Sequence, residues 1–515
     1  MRMNFTMLGS LFMAGVLVAC GGTSGNPPAS TGGTNQTGGT QTTGGSANTG
    51  GSTPTGGTTQ TGGTILTGGA TATGGSTQTG GVTQTGGNAT SGGAVNTGGV
   101  AITGGAAKTG GTTSTGGTTN TGGTIPTGGT TNTGGTTTTG GTTANGGAAA
   151  TGGTTSTGTP VTCTPGYTGS SRPQLTDAAA ACYTLRNYLA QAGTIGALVR
   201  DDWDPSTTPL AIPTTADFTV AADGSGTHTT VQAAVTAAMT SASTVRKTIL
   251  VKPGTYRELV CVKGGVPITL YGADSDASKV VIAYDNYNAK TVDTTKVNAC
   301  SVPSGTTYGT SGSTTFFAHA AGFQALNLTL ANDYAEANNG TFQAVALTAQ
   351  GDKQVYQNVR LLGNQDTLQV KTGATTTVAR SYFKSCYIEG DVDFIFGRGT
   401  AVFDACTMKY ITSRGKKGST IFAPSTENAH PFGMLVVGST LGSDSGAASG
   451  STYLGRDWVD SAGTAANGQI VIRESTLDAT IRATAPWADS TTSEAFNAAS
   501  DRLFEYKNTG AGAAK

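Results

Sequence analysis

Charged residues and long hydrophobic runs are both scarce in this sequence. Of 515 residues, 29 are basic and 29 are acidic, and a single charged side chain, Lys108, lies between residues 21 and 160. A chain with this charge balance lacks the basic surface that a nucleic-acid-binding protein presents to phosphates. No stretch reaches the roughly 18 apolar residues that a transmembrane helix needs, so no membrane-spanning helix is expected.

The motifs of several common enzyme classes are missing as well. The chain has no Gly-x-Ser-x-Gly elbow, no phosphate-binding Walker loop and no Cys-x-x-Cys pair. Its histidines are His228, His319 and His430, and none lies in the setting of a Ser-His-Asp triad. Acid–base chemistry must therefore depend on carboxylates, which are concentrated between residues 350 and 405. We expect neither a metal nor another cofactor.

The amino terminus has the layout of an export signal. A short basic start precedes the apolar run at residues 5–19, which has the length of a signal-peptide core. The run ends in Leu-Val-Ala-Cys20-Gly-Gly, which resembles a bacterial lipobox. We expect residues 1–19 to be a lipoprotein signal peptide and Cys20 to be acylated. Lipid anchoring to the bacterial (outer) membrane would leave the body facing the periplasm or the cell exterior. An ordinary secretory signal is the alternative.

A hexad then repeats 21 times over residues 31–156, as Thr-Gly-Gly and three variable residues, with Ser91 and Asn145 in place of the leading Thr in two hexads. Hexapeptide repeats occur in β-solenoids, which need an apolar side chain in each rung. Most hexads here offer only Thr, Ser, Asn, Gln or Ala, which bury too little to offset chain entropy. We therefore expect residues 20–160 to be a disordered, lipid-anchored Gly/Thr-rich tether. A packed Gly-rich array is the alternative.

Six cysteines remain after Cys20, and an even number in an exported chain favours disulfides. Sequence proximity pairs residue 163 with 182, 261 with 300 and 386 with 406. The last pair has a further reason, because Cys386 and Cys406 follow equivalent points of neighbouring predicted strands. A separation of about one coil would bring their Cα atoms within the roughly 7 Å that a disulfide allows.

The body combines one predicted helix with many short strands. Residues 174–192 are expected to form a helix within an N-terminal cap segment, 161–216.

From residue 217 onward, β-rich runs recur at irregular intervals. Several of them have a small or polar residue three positions before an aliphatic one, as at Asn327 and Leu330. Irregular spacing argues against a propeller. It favours an all-β, right-handed, single-stranded parallel β-helix with an N-terminal capping helix. A β-sandwich is the alternative, but hairpin dipeptides are scarce. The predicted strands are 248–251, 259–262, 268–271, 280–284, 323–330, 355–362, 382–388, 401–408, 434–441 and 470–477.

Two acidic segments of the body are candidates for chemistry. One contains Gln365-Asp366-Thr-Leu, and the other contains Asp393-Phe-Ile-Phe-Gly. Asp366 and Asp393 are 27 residues apart, which is close to one coil, so stacked coils would place both carboxylates on one face. The amides of Gln343 and Gln365 and the guanidinium of Arg456 are expected to join them.

Seven segments, in order, make residues 217–513 resemble a pectin methylesterase (pectinesterase) of the β-helical carbohydrate-esterase family. With the lipobox, the chain resembles the lipid-anchored bacterial branch of that family. The resemblance implies a domain at 217–515 that hydrolyses methyl esters of galacturonate units in pectin (homogalacturonan) and releases methanol. The matching segments are 220–232, Gly-Thr-Tyr-Arg-Glu at 254–258, Gln-Ala-Val-Ala-Leu at 343–347, Gln-Asp-Thr-Leu at 365–368, Asp-Phe-Ile-Phe-Gly at 393–397, Leu-Gly-Arg-Asp-Trp at 454–458 and Phe-Glu-Tyr-Lys-Asn-Thr-Gly at 504–510.

The same resemblance assigns roles to the candidate residues. Asp393 would attack the ester carbonyl, held ionised and oriented by Arg456. Asp366 would protonate the leaving methoxide and then activate water. Gln365 and Gln343 would donate to the oxyanion.

Two aromatic residues and three departures complete the comparison with the family pattern. Phe396 and Trp458 are implied to stack on sugar faces. Asp457 stands where the family usually has Pro, and Gln369 stands where it usually has Tyr. The segment between the two catalytic acids is longer than usual, and we assign the extra length to residues 371–377.

Two other functions remain open from the sequence. One is an esterase or thioesterase acting on a different substrate on the same scaffold. The other is a non-catalytic surface β-helix that binds polysaccharide, which would not need the full set of acids, amides and arginine. The expected partners are pectin and, through the lipid anchor, a membrane. We expect a monomer that does not bind nucleic acid.

Overall fold

The computed structural model describes residues 160–241, 243–336, 340–412, 420–459 and 466–515, together with the backbone of short strands between residues 30 and 151. The chain divides into two compact units, Met1–Thr155 and Ser156–Lys515. Cys20 and the signal-peptide prediction lie outside the described residues. Within the described part, no helix is long and apolar enough to cross a membrane.

In the first unit, the described hexads form short parallel strands. Four-residue strands run from Thr34–Thr37 to Thr136–Thr139 at six-residue intervals, flanked by Ser30–Thr31 and Ala148–Thr151. Strands three hexads apart pair with one another, so three parallel sheets of seven, six and seven strands form. The expectation of a disordered tether is therefore wrong for these residues. Threonine favours extended backbone, and pairing between coils supplies backbone hydrogen bonds that do not require an apolar core.

The second unit is a parallel β-helix, as predicted. One face is a seven-stranded parallel sheet, here called the site sheet, and the other faces belong to an eighteen-stranded sheet, here called the long sheet. The site sheet contains Val260–Val262, Phe316–Ala318, Leu347–Ala349, Leu368–Val370, Ile395–Gly397, Thr420–Pro424 and Tyr453–Gly455. The long sheet contains Tyr167–Thr168, Gln174–Leu175, Phe218–Val220, Lys247–Val251, Gly254–Arg257, Ile268–Gly272, Val280–Tyr284, Gln324–Asn332, Gln354–Leu362, Arg380–Lys384, Tyr387–Gly390, Thr400–Asp404, Thr407–Tyr410, Met434–Val437, Thr440–Ser443, Gln469–Arg473, Thr476–Leu477 and Arg502–Tyr506. A separate two-stranded pair and short helical turns lie outside these sheets, at Gln191–Thr194, Ala197–Arg200, Pro205–Thr207, Ala277–Lys279 and Gly309–Gly312.

A left-handed residue marks the same corner of successive coils. The six positions that the sequence pattern picks out, each three residues before an aliphatic one, all have φ between 50° and 58°. This backbone region penalises bulky and β-branched side chains, which explains why the pattern is small or polar. The pattern therefore marks a bend. The bend separates two strands of one coil at four of the positions, and at Asn327 and Asn358 it lies within the long strands Gln324–Asn332 and Gln354–Leu362. The six residues are Asn327, Asn358, Ser385, Ala405, Gly438 and Glu474.

The interior of the β-helix is filled by one continuous apolar core. Aromatic rings of successive coils stack in it, with Tyr356 and Phe383 4.7 Å apart and Phe383 and Phe403 5.0 Å apart between ring centroids. The helix Val231–Thr240 packs its buried face, including Val235, onto the first strands of this core. This is the capping helix, so the helical prediction at 174–192 did not identify it.

Residues 174–192 form two short helices, Asp177–Ala180 and Leu185–Ala190, instead of the single helix expected. The chain breaks between them because Thr184 caps the second helix, accepting a hydrogen bond from Asn187 N at 3.4 Å. Tyr188 is fully buried against Phe432, with a ring-centroid distance of 4.6 Å. The cap segment therefore packs along the side of the long sheet.

Two of the three expected disulfides are present. Cys163–Cys182 and Cys261–Cys300 have Cα–Cα distances of 5.7 Å and 5.4 Å. The third expectation is wrong, because Cys386 and Cys406 are buried free cysteines.

These two cysteines do stack on neighbouring coils, but as members of a hydrogen-bonded ladder. Cys386 N donates to Cys406 Sγ at 3.4 Å, Cys406 N donates to Ser439 Oγ at 3.0 Å, and Ser439 N donates to Ser475 Oγ at 3.1 Å. Each thiol also donates to a main-chain carbonyl, at 3.4 Å in both cases. Cysteine thus occupies the same place in the coil as serine does one and two coils later.

Candidate active site

The two candidate acids lie at equivalent points of adjacent coils. Asp366 and Asp393 each precede a site-sheet strand by two residues, and the strands pair with Leu368 opposite Ile395. Asp366 N donates to Val392 O at 3.1 Å. Both acids have left-handed backbones, with φ of 68° and 45°, and both are 8% exposed. The 27-residue spacing therefore corresponds to one coil, and both carboxyl groups lie together on one face, as predicted.

Arg456 makes a forked contact with Asp393. It follows the strand Tyr453–Gly455, and its Nη2 and Nε donate to the carboxylate at 2.6 Å and 3.0–3.2 Å. Charge-assisted pairs of this geometry are strong and fix the orientation of the carboxylate plane. Thr420 also donates its hydroxyl to Asp393. Sequence reasoning missed Thr420, although its strand lies between those that precede Arg456 and follow Asp393.

Asp366 has a different environment from Asp393. Burial raises its pKa well above the usual range, and the nearby charges of Asp393 and then Asp391 raise it further, while Arg456 lowers it. A carboxyl group in these surroundings holds its proton at pH values where an ordinary aspartate is ionised. The two acids therefore differ in the way that an acid and a nucleophile must differ.

Asp391 is a second residue that sequence reasoning did not assign. It is fully buried, and neither of its carboxylate oxygens has a hydrogen-bond partner among the described residues. Its backbone N–H donates to Asn364 O at 3.3 Å, which sets it on the coil next to Asp366. The sequence Asp391-Val-Asp393 was the available signal. It places a second acid two residues before Asp393, so that three acids, and not two, lie close together.

Gln343 and Gln365 are also neighbours on successive coils. Ala344 N donates to Gln365 O at 3.0 Å, and both glutamines are partly buried. Their side-chain amides make no hydrogen bond to any residue that the structure describes. Two pairs of N–H donors are thus available beside Asp366, where an oxyanion would need them.

Phe396 and Trp458 form an edge-to-face pair with ring centroids 5.4 Å apart. Phe396 is only 3% exposed, and it packs with Val345 and Ala423, whereas Trp458 is partly exposed. Trp458 therefore has the solvent-accessible ring, and the buried ring of Phe396 packs against it.

The two residues that depart from the family pattern, Gln369 and Asp457, make specific contacts. Gln369 Oε1 accepts from Thr348 Oγ1 at 3.2 Å and from Ser311 Oγ at 3.4 Å. The Asp457 carboxylate accepts from Gly468 N at 2.5 Å, and burial raises the pKa of Asp457 to about 6. The described residues contain no group of three or more His, Cys, Asp or Glu side chains arranged to hold a metal ion.

Comparisons with known proteins agree with this geometry. A family model described as Pectinesterase matches residues 217–515. A pectinesterase from Ralstonia solanacearum is 44% identical over 366 residues, which cover 67% of this chain and 92% of the relative. The structure of rice weevil pectin methyl esterase is 34% identical, with a TM-score of 0.59, and the match covers 68% of this chain and 100% of that one. Escherichia coli YbhC is 29% identical, with a TM-score of 0.61, and the match covers 69% of this chain and 99% of that one. The chain belongs to the pectinesterase family.

Proposed function

We propose that this protein hydrolyses the methyl esters of galacturonate units in pectin, with Asp393 as nucleophile and Asp366 as general acid and base. The observation that carries the proposal is the contrast between two equally buried acids. Asp393 is paired with Arg456, whereas burial and the neighbouring acids raise the pKa of Asp366. Family membership and the pectinesterase relatives support the substrate.

In the first half of the reaction, a carboxylate oxygen of Asp393 attacks the ester carbonyl carbon. The carbonyl oxygen becomes an oxyanion that accepts hydrogen bonds from the amides of Gln343 and Gln365. As the tetrahedral intermediate collapses, the bond to the methoxy oxygen breaks, and Asp366 gives that oxygen its proton. Methanol leaves, and the galacturonyl group is bound to Asp393 as an anhydride.

The second half restores the enzyme. Asp366, now a carboxylate, takes a proton from a water molecule as the water oxygen attacks the galacturonyl carbonyl. The bond to Asp393 breaks, and Arg456 stabilises the returning negative charge. The product leaves as a carboxylic acid and loses its remaining proton to solvent to become galacturonate. Asp366 is protonated again and Asp393 is a carboxylate again, so the cycle releases one methanol and one proton.

Methanol release from highly methylated pectin tests this proposal directly. We expect release from pectin at a rate well above that from simple methyl esters and acyl thioesters, because the family and the pectinesterase relatives point to a methylated polysaccharide. Faster cleavage of thioesters than of pectin would overturn the proposed substrate. The two-acid mechanism would not be contradicted by that result.

We also infer an exported, monomeric protein that is lipid-anchored through Cys20 to the bacterial (outer) membrane. The support is the lipobox-like sequence and two disulfides, which persist in oxidising compartments. Metabolic labelling with palmitate, compared between the full chain and Cys20→Ala, tests the anchor. Equal label in both proteins would exclude Cys20 as the acylated residue.

A further inference from the structure

A groove lies between the cap segment and the long sheet, whereas the candidate active site lies at the site sheet. We call it the cap groove. Its volume is about 670 Å³, which is within the roughly 300–1,000 Å³ of ligand sites. One wall is the arm at residues 202–213, and the floor includes a row of side chains from four coils. The row runs about 14 Å along the β-helix, because neighbouring strands lie about 4.8 Å apart. Its members, paired in strand register, are Thr248, Thr269, Gln324 and Val355.

One cation of the cap groove has donors to spare and no carboxylate partner. Arg246 Nη1 donates to Ile268 O at 3.1 Å and to Thr269 Oγ1 at 3.3 Å. Its Nε and Nη2 make no hydrogen bond to the residues that the structure describes. Burial lowers the pKa of Arg246, and no nearby acid offsets that effect. A partly buried charge in this position costs free energy that a bound anion would recover.

An amide donor lies beside this cation. Thr269 Oγ1, which accepts from Arg246, donates to Gln324 Oε1 at 2.7 Å. This contact orients the amide of Gln324, and the amide nitrogen has no acceptor within the described part of the chain. The guanidinium and the amide nitrogen together offer the donors that one carboxylate accepts.

The arm that forms the opposite wall is held in place. The main chain of Leu210 makes two hydrogen bonds with the side-chain amide of Gln357, at 2.9 Å and 3.2 Å. The Trp203 ring packs against the Arg380 guanidinium, 5.2 Å from its centroid. The prolines at 205, 209 and 213 add rigid apolar surface to the same wall. The cap groove is therefore largely preformed, as ligand sites usually are.

The charge of the cap groove narrows the choice of ligand. Asp202, Asp204 and Lys353 line it together with Arg246, so acids and bases are balanced. A dense polyanion therefore matches it poorly, whereas a mostly uncharged chain with an occasional carboxylate matches one free cation on an apolar wall. Partly methylated pectin is such a chain, because its methyl esters are uncharged and its free galacturonates are not.

We propose that the cap groove is a second pectin-binding site, in which Arg246 and Gln324 hold a free carboxylate and the arm contacts neighbouring methylated units. The inference rests on the proposed pectin substrate. Binding at a second point raises the effective concentration of the same polymer at the two acids. Long chains that reach both sites gain from this effect, and short oligomers do not.

Calorimetric titration counts the sites when the probe is an oligogalacturonate partly converted to methyl amides, which resist hydrolysis. We expect two sites in the full chain, and a Kd for the second site raised at least about tenfold in Arg246→Gln, because the charged donor is lost. Ala211→Glu, an exposed change on the arm, leaves the contacts of Arg246 in place and should weaken the same site by adding a negative charge. Lys279→Gln removes an exposed cation elsewhere and should stay within about twofold of the parent.

Kinetics provide an independent readout. Arg246→Gln and Ala211→Glu should each raise KM for long, partly methylated pectin about threefold or more, with kcat/KM for short methylated oligomers unchanged. A single site in the parent, or an equal loss of the second site in Lys279→Gln, would overturn the proposal. Stronger Arg246-dependent binding of polyglutamate than of the oligogalacturonate would also overturn it, in favour of an acidic peptide. Two sites with Arg246-dependent binding, but no methanol release from pectin, would overturn the proposed function alone.

Discussion

At the scale of single residues, the two acids share an uncommon backbone conformation. Asp366 and Asp393 both have positive φ, which costs an ordinary L-residue about 1–2 kcal/mol. Aspartate and asparagine tolerate this region better than most residues, so an asparagine replacement keeps both the shape and the backbone. Asparagine variants therefore separate the chemical role of each carboxyl group from its structural one.

Asp393→Asn and Asp366→Asn are each expected to lower kcat for methanol release by at least about 10², because each removes a nucleophile or a proton donor. Thermal melting should be unchanged. Retention of more than a tenth of the parent activity by either variant, at equal Tm, would contradict the assignment.

Asp391→Asn is expected to lower the pKa of Asp366, because it removes one of the negative groups that raise that pKa. Asp366 must be protonated to act as an acid, so activity is lost as pH rises through its pKa. The alkaline limb of the kcat/KM profile should therefore move to lower pH. Asp274→Asn, on the long-sheet side, is the matched control. An unmoved alkaline limb in Asp391→Asn would show that Asp391 does not act on Asp366.

At the scale of elements, one loop carries two residues of the site. It leaves the strand Tyr453–Gly455 with Arg456 and Trp458, and the carboxylate of Asp457 between them accepts from Gly468 N near the far end of the loop. The family's usual proline would stiffen the backbone here, whereas Asp457 ties the two ends of the loop by a hydrogen bond. The bond makes the loop sensitive to the ionisation of one partly buried carboxyl group.

Asp457→Asn tests that sensitivity. Burial raises the pKa of Asp457 to about 6 in the folded protein, above about 3.9 for an unfolded aspartate. The folded state therefore binds the proton more tightly, and stability decreases as pH rises from about 4 to about 6. The asparagine variant lacks this loss, so its Tm relative to the parent should increase between pH ~4 and pH ~7. A Tm difference that is constant with pH would contradict the prediction.

The cysteine ladder gives a second prediction at this scale. Cys386 and Cys406 are each 1% exposed in the apolar core. Both thiols should be unreactive to a thiol reagent in the folded protein and should react in denaturant without reduction, while the other four body cysteines stay oxidised. Ser replacement of either should preserve folding, because Ser439 and Ser475 already fill the same ladder. Peptide mapping that finds residues 386 and 406 joined would refute this.

At the scale of the whole molecule, the second unit has its own core, disulfides and candidate site. The described hydrogen bonds and apolar clusters of residues 160–515 involve only residues of that range. A protein truncated to residues 159–515 should therefore fold, remain monomeric and release methanol from soluble pectin at the full-length rate. It should lose membrane association. Aggregation, or a Tm lowered by more than a few degrees, would show that the hexad unit stabilises the enzyme.

The sequence predicted the features that repeat from coil to coil, and it failed where local context decides. The small or polar side chains at Asn327 and its equivalents mark a bend in each coil. The spacing between Asp366 and Asp393 equals the length of one coil. The disulfide prediction for Cys386 and Cys406 assumed that proximity implies a bond, whereas the Cys406 sulfur accepts a hydrogen bond from the backbone N–H of Cys386. The prediction that the hexads are disordered considered only how much side-chain surface they could bury. It left out the hydrogen bonds between the backbones of paired strands. Thr420 has no motif of its own, and only the strand register identifies it. Asp391 had a signal in the alternation Asp391-Val-Asp393, but only its burial next to Asp366 gives that signal a meaning.

The register of the site sheet has a consequence for how such enzymes diversify. Leu368 lies opposite Ile395 because the hydrogen bonds between the two strands set their register. The number of residues in the loop that connects the strands does not affect this register. The loop between these strands can therefore differ in length, as the sequence predicts at residues 371–377, while the two acids stay at equivalent points of adjacent coils. Evolution can thus alter which polymers are accepted without re-optimising the chemistry.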